Sequence, residues 1–202
     1  QVVALAISGT GALLPLQEAR IVSGESVLIL GATGPVGQIG AQVARLLGAG
    51  RVVAAARNRP ALEAMKARGD ADAIVVLGQG DDENALKDAA AGGYDVVLDV
   101  IYGSPAEAAM RATRPGARMM SIGVQAGQTV SLSLRELVSR SHIGVGTGQR
   151  PAAERRAAFD RLMAMACEGN LKVNTRCYAF DDAAEAWAAQ AGSPHGKIVI
   201  RF

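Results

Sequence analysis

One stretch of this chain has the residue types and spacing to hold a phosphate. Gly31-Ala32-Thr33-Gly34-Pro35-Val36-Gly37 follows directly on an apolar run, Ser26 to Leu30, and opens a helical pattern that continues to Gly48. A glycine turn between strand and helix lets the backbone approach an anion with no Cβ in the way. Free N–H groups at the helix start, with the positive end of the dipole, then hold the charge. Gly34 is placed for the close approach, and Gly37 for packing of helix on strand. Pro35 gives up an N–H that a first helical turn does not need. Against the spacing Gly-x-Gly-x-x-Gly the first position is Ala32, with Gly31 one place earlier. Ala32, Thr33, Gly34, Pro35, Val36 and Gly37 are the candidate pyrophosphate contacts. The alternative, glycines serving only a tight turn, is the weaker reading because the turn sits between a strand and a helix.

A second position decides which dinucleotide fits. Sites for NAD place an acid on the ribose 2′-hydroxyl, roughly 20 residues beyond the glycines. Here that stretch reads Val52-Val53-Ala54-Ala55-Ala56-Arg57-Asn58-Arg59, with Ala56 where the acid belongs. A small residue followed by arginine leaves room for a 2′-phosphate and supplies a guanidinium to pair with it. The expected cofactor is NADP(H), with Arg57, Asn58 and Arg59 beside the phosphate. Ordinary solvated arginines at a strand end are the alternative.

Other chemistries leave no trace. None of Tyr94, Tyr102 and Tyr178 has a lysine four residues on, so the Tyr-x-x-x-Lys pair of short-chain dehydrogenases is missing. There is no Gly-x-Ser-x-Gly elbow and no His-Glu-x-x-His, and the glycine turn lacks the Lys-Ser/Thr of a triphosphate loop. His142 and His195 read as isolated structural residues. Cys167 shares a helix face with Leu162, Met163 and Ala166 and reads as core, as does the Met163–Met165 stretch. No catalytic residue and no metal ligand is assigned.

The elements needed to position the turn alternate. Strands are expected at Ser26–Leu30, Arg51–Ala56, Ala73–Leu77, Tyr94–Val100 and Arg118–Gly123, with short ones at Ile143–Val145 and Lys197–Phe202. Between them lie helices at Gly34–Gly48, Pro60–Arg68, Asp81–Ala91 and Ser104–Thr113, the last N-capped by Ser104. Residues 1–20 read as a helical segment broken near Pro15. Two later helices are expected, an amphipathic one at Ala152–Glu168 and another at Asp181–Gln190. This is the pattern of an α/β doubly wound parallel sheet, a Rossmann fold with helices on both faces. It is read as one dinucleotide-binding domain over 1–202, with 1–23 a connecting helical segment and 24–202 the core. Half of the residues are apolar and only 3% aromatic, which suits close helix-on-sheet packing. A net charge of +2 with no basic run gives no sign of nucleic-acid or membrane partners. Two cysteines make no disulfide framework, and a reducing, cytoplasmic location is expected. The first residue is Gln1 and the opening reads as mid-helix, the expectation for a piece of a longer protein.

The run from Gly24 to Asn58 resembles the cofactor domain of the medium-chain dehydrogenase/reductase superfamily, nearest its zinc-independent, quinone oxidoreductase-like branch. Gly93–Val100 is similar to that family's fourth strand, Gly116–Gly123 to its fifth and His195–Ile200 to its closing strand. The resemblance implies cofactor contacts at Asp99, Val100 and Ile101 and, towards the nicotinamide, at Ser121, Ile122 and Gly123, with Gly146, Thr147 and Gly148 on the same edge. It implies hydride transfer between NADPH and a carbonyl, quinone or activated alkene of a small-molecule substrate. An N-terminal catalytic domain of the family is not in this chain, so the chain alone is expected to be inactive. A homodimer paired through the edge near Ile143 is expected as well. A stand-alone NADP(H) sensor or scaffold, or a reductase unit from a multi-enzyme synthase, are the competing readings.

Overall fold

Short apolar runs become the most deeply buried strands. In the computed structural model, which describes residues 2–192 and 194–202, the central strands are β1 (Ser26–Leu30), β2 (Arg51–Ala56) and β4 (Tyr94–Asp99). Shorter or less buried strands flank them: β3 (Ala73–Val76), β5 (Thr113–Ser121) and β6 (Ser141–Gly144). All six are parallel, in the order β3-β2-β1-β4-β5-β6. The doubly wound sheet expected from the sequence is therefore present. Its order reverses between β1 and β4, and a crevice at such a switch point is where ligands of this architecture bind.

Parallel strands need crossovers, and helices supply them. α2 (Pro35–Leu46), α3 (Arg59–Ala67), α4 (Asp82–Ala90) and α5 (Ser104–Arg111) follow β1 to β4 in turn. Alternation of side chains along the strands gives the sheet two apolar faces. Val27, Ile29, Val52, Ala54, Val96 and Leu98 pack with α2, α3, α1 (Val2–Glu18) and α7 (Ala152–Cys167). Leu28, Leu30, Val53, Ala55 and Val97 pack with α4 and α5. A one-turn helix, α6 (Leu134–Leu137), precedes β6. No helix among the described residues is long and apolar enough to cross a membrane.

Several expectations are corrected. α1 is not broken at Pro15 but runs through it to Glu18. The proline removes a single N–H from the ladder, which resumes with Ala19 N–H donating to the Pro15 carbonyl at 2.9 Å. Ser104 is the first helical residue of α5 rather than its cap; Gly103 holds the cap position and offers no side chain. α7 buries only Ala158 and Leu162, with Met163, Met165 and Ala166 partly covered. Cys167, at its last turn, is exposed and not core. The tail strand β8 (Lys197–Arg201) does not join the main sheet but pairs in parallel with β7 (Thr175–Ala179). β7 has no apolar alternation to announce it, since four of its five residues are exposed. The helix α8 (Ala183–Ala191) connects the two.

This small unit is fastened to the main sheet by polar contacts on α2. Gln42 donates through Nε2 to the Lys172 carbonyl at 2.7 Å and accepts from its N–H at 2.8 Å. Gln38, itself buried, donates to the carbonyls of Thr33 at 2.8 Å and His195 at 2.9 Å.

Candidate functional site

The glycine turn folds as its sequence demands. Gly31 adopts φ +74°, a conformation glycine enters without a Cβ penalty. Its N–H and that of Ala32 donate to the Ala55 carbonyl of β2. Gly37 sits where a Cβ would lie 2.5 Å from both the Ala32 Cα and the Gly31 carbonyl oxygen, so α2 can approach β1 only with glycine there. At Gly34 an added Cβ would meet nothing nearer than 3.6 Å, which leaves that backbone bare. Gly34 is the N-cap of α2 and makes no side-chain cap. Pro35 has no N–H, so Val36 and Gly37 carry the free donors of the first turn.

This turn lies in a groove of about 740 Å3, within the range of small-ligand sites. Thr33 to Gly37 line it, and so do Ala56, Arg57 and Asn58 from the end of β2 and Val100 and Ile101 from beyond β4. Ser104 and Pro105, the first residues of α5, line it too. α5, like α2, has no side-chain cap. By contrast Asn58 caps α3, accepting from Ala61 N–H, and Asp81 caps α4, accepting from Asn84 N–H. The two helices that follow the switch-point strands are thus the two whose N-termini stay open on the groove, the arrangement that suits an anionic ligand.

At the β2 end, Ala56 is small and Arg57 is exposed and makes no ion pair among the described residues. Arg59 does not reach the groove; it faces Glu63 one turn along α3, at 4.0 Å. Asp82, at the start of α4, also lines the groove, with one carboxylate oxygen taking the Gly78 N–H at 2.8 Å. Ala32 is fully buried and turned into the core.

Four of the expected contacts lie behind the groove rather than in it. Asp99 is fully buried. Its Oδ1 accepts from the N–H groups of Ile101 at 3.0 Å and Tyr102 at 2.8 Å, and its Oδ2 from Ser121 Oγ at 2.7 Å. Ser121 Oγ in turn lies 3.0 Å from His142 Nε2. Since the hydroxyl proton goes to the carboxylate, the oxygen accepts and His142 carries its proton on Nε2. Burial depresses the His142 pKa, and the nearby Asp99 charge opposes that shift. Ile122 packs on the core. Gly123 has its Cβ position 2.2 Å from the Val100 carbonyl oxygen, so it seats the loop that carries Val100 and Ile101. Gly146, Thr147 and Gly148 form a short 3₁₀ turn apart from the groove-lining residues.

The largest correction concerns His195. It is not isolated. Its ring lies in the groove, with Nδ1 3.2 Å from Thr33 Oγ1 and Nε2 2.8 Å from Asn58 Nδ2. Gln190, Pro194 and Gly196 line the same wall. The sequence carries no local signal for this, because 162 residues separate His195 from Thr33.

The fold and the groove define a dinucleotide-type site at the switch point of a doubly wound sheet. The family is narrower than that class. A profile of the family described as zinc-binding dehydrogenase matches residues 35–164, and the chain belongs to that family. The resemblance read from the sequence is thereby borne out. No curated protein is significantly similar in sequence. Among solved structures, the chain is similar to an alcohol dehydrogenase superfamily protein from Novosphingobium aromaticivorans, with a TM-score of 0.85 and 24% identity over 98% of this chain and 62% of that one. It is similar to a quinone oxidoreductase from Pseudomonas syringae pv. tomato, with a TM-score of 0.83 and 23% identity over 98% of this chain and 63% of that one. CurA from Vibrio vulnificus, solved in complex with NADPH, matches with a TM-score of 0.82 and 17% identity over 96% of this chain and 62% of that one. At these identities the likeness speaks for the fold, and the chain spans a little over three fifths of each relative. Among the described residues no three His, Cys, Asp or Glu side chains gather as a metal site.

Proposed function

We propose that this chain is the part of an oxidoreductase that binds NADP(H) and presents it for hydride transfer to or from a carbonyl, quinone or activated alkene. One observation carries the reading: two uncapped helix N-termini, α2 and α5, open on one groove at the β1/β4 switch point. The residues present fit the cofactor. The bare backbone at Gly34 and the free donors of Val36 and Gly37 suit the pyrophosphate. Ala56 leaves space for a 2′-phosphate, and Arg57, without an ion pair among the described residues, offers it a guanidinium. CurA, the neighbour solved with NADPH, has the same fold. Bound there, the cofactor supplies the hydride; the chain's own residues bind and orient it. No residue of this chain is assigned as a substrate contact or proton donor, and the chain spans about three fifths of its relatives. Among the described residues β6 is an outer strand of the sheet, and pairing of two chains through it is the proposed route to a homodimer.

Calorimetric titration with NADPH and NADH tests the reading. Arg57→Ala is expected to weaken NADPH about ten- to a hundredfold, from the loss of a charge-assisted hydrogen bond of roughly 1.5–3 kcal/mol, and to leave NADH nearly unchanged. Equal losses for both would remove Arg57 as the discriminating residue. Binding of neither dinucleotide to the unaltered chain would overturn the reading.

A further inference from the structure

The groove has a third wall that the nucleotide-binding sheet does not supply. It comes from the approach to β8, and His195 is its polar member. The His195 backbone stands at φ +48°, in the left-handed region, which is unfavourable for a residue with a Cβ. Gln38 on α2 holds it there by donating to the His195 carbonyl at 2.9 Å. A strained residue held in place at a groove points to a constraint beyond packing.

The ring's two partners fix its protonation. Asn58 Oδ1 is taken by the Ala61 N–H at the start of α3, at 2.9 Å, so the Asn58 amide turns its NH2 towards the ring. That NH2 is a donor only, and His195 Nε2 must accept from it. The ring proton therefore sits on Nδ1 and is donated to Thr33 Oγ1. The ring is a neutral clasp between the pyrophosphate turn and the tip of β2. A second proton, on Nε2, would set an N–H against the Asn58 NH2, donor to donor, and release that end of the clasp. The imidazolium so formed would lie beside Thr33, where the pyrophosphate of the proposed cofactor rests.

We propose that His195 is a cofactor-binding residue: it clasps Asn58 and Thr33 when neutral and becomes a cationic ligand of the dinucleotide pyrophosphate when protonated. This rests on the NADP(H) reading above. Both halves of the exchange have one sign. The clasp to Asn58 needs the neutral ring, and the phosphate favours the charged one, so dinucleotide binding takes up a proton and strengthens as pH falls. Histidine is the residue type whose charge changes between pH 5 and 8. Among the described residues, the other charged side chains lining the groove are Arg57 at the tip of β2 and Asp82 at the start of α4, and both are retained in the variant that tests the proposal.

NADH is the probe, because it lacks the 2′-phosphate, which itself titrates near neutrality. Its affinity for the 202-residue chain is measured by calorimetry at pH 6, 7 and 8, in buffers of different ionisation enthalpy, so that proton uptake is counted directly. The chain is expected to bind NADH about tenfold more tightly at pH 6 than at pH 8, with proton uptake. His195→Gln should bind with neither the slope nor the uptake. Nitrogen-15 spectra of the ring add a readout independent of affinity, since the sequence holds just two histidines. They should show the neutral Nδ1–H form in the chain alone and the imidazolium in the complex. A flat profile, a slope that survives in His195→Gln, or a ring that stays neutral in the complex overturns the proposal alone. Failure of both NADH and NADPH to bind at any pH overturns the nucleotide reading and this proposal with it.

Discussion

The two ends of the sheet's carboxyl edge are built from similar side chains and put to opposite uses. At the β1–β2 end, polar groups are left open: Gly34 caps nothing, Arg57 pairs with nothing among the described residues, and a strained His195 spans Thr33 and Asn58. At the β4–β6 end the polar groups are tied to one another: Asp99 serves two backbone N–H groups and Ser121, and Ser121 serves His142. The histidines follow the same division. His142 carries its proton on Nε2, where a second proton breaks no bond, whereas His195 carries its proton on Nδ1, where a second proton breaks the bond to Asn58. Unspent hydrogen-bonding capacity marks the end proposed to receive the cofactor, and the tied network marks the end that holds the groove-lining loop in place.

The sharpest way to break the open end is through its backbone. Gly37→Ala adds one methyl group, yet that carbon would lie 2.5 Å from Ala32 Cα and from the Gly31 carbonyl oxygen, and 2.8 Å from the Ala32 carbonyl carbon. All three are main-chain atoms that cannot swing aside. α2 must lift from β1, and the expected loss is about 3 kcal/mol or more. Urea unfolding should report it as an earlier midpoint with little change in slope. A midpoint within error of the parent would mean that the helix rides on the strand less closely than the structure has it.

The closed end breaks through Asp99. Asp99→Ala strands the Ile101 and Tyr102 N–H groups and the Ser121 hydroxyl, at an expected cost of about 2 kcal/mol. Val100 and Ile101 line the groove, so dinucleotide affinity should fall as well, although Asp99 touches no ligand. Asp99→Asn sharpens the comparison. Its Oδ1 can still accept from both N–H groups, and its NH2 can donate to Ser121 Oγ, whose own proton then turns to His142. That turn forces His142 into the Nδ1–H form. Asparagine should therefore recover most of the stability and affinity while inverting the His142 tautomer, visible in nitrogen-15 spectra. Recovery with the tautomer unchanged would show that Ser121 does not link the two residues.

The sequence announces the open end better than the closed one, for a physical reason. Gly31 to Gly37 and Ala56-Arg57 are contiguous, because the phosphate contacts are made by backbone and by the residue just past a strand; local order is enough to read them. The same logic does not locate the Arg59 side chain, since α3 starts at that residue and turns it towards Glu63. Asp99, Ser121, Ile122 and Gly123 were placed at the correct strand ends, but sequence does not say whether a strand-end side chain points out to a ligand or back into the protein. That is set by the loop packed over it, here with Gly123 against the Val100 carbonyl. His195 was out of reach altogether. Its partners are Thr33 and Asn58, and the distant segment that carries it is docked on α2 by Gln38 and Gln42. The β7 strand was hidden for the opposite reason: with most of its residues exposed, nothing in its pattern demands burial.

The smallest expected effect comes from His142, and its sign follows from burial. The folded ring has a pKa below the ordinary histidine value, chiefly because the sheet edge desolvates the charged form, with the Asp99 charge pulling the other way. In the unfolded chain the ring takes a proton more readily than in the folded one. Its contribution to stability is therefore complete above the ordinary histidine pKa and is lost as pH falls through that range towards the folded value. The hydrogen bond to Ser121 survives protonation, because Nε2 remains a donor, and the ring is only half-buried. The slope should be shallow for both reasons. His142→Gln keeps a donor near Ser121 and removes the titration, so the difference in urea midpoint between parent and variant should narrow or change sign as pH falls from 8 to 5. A difference that stays constant over that range would mean that the edge of β6 leaves the ring as well hydrated folded as unfolded. A difference that widens with acid would mean that the Asp99 charge, and not burial, governs the closed end.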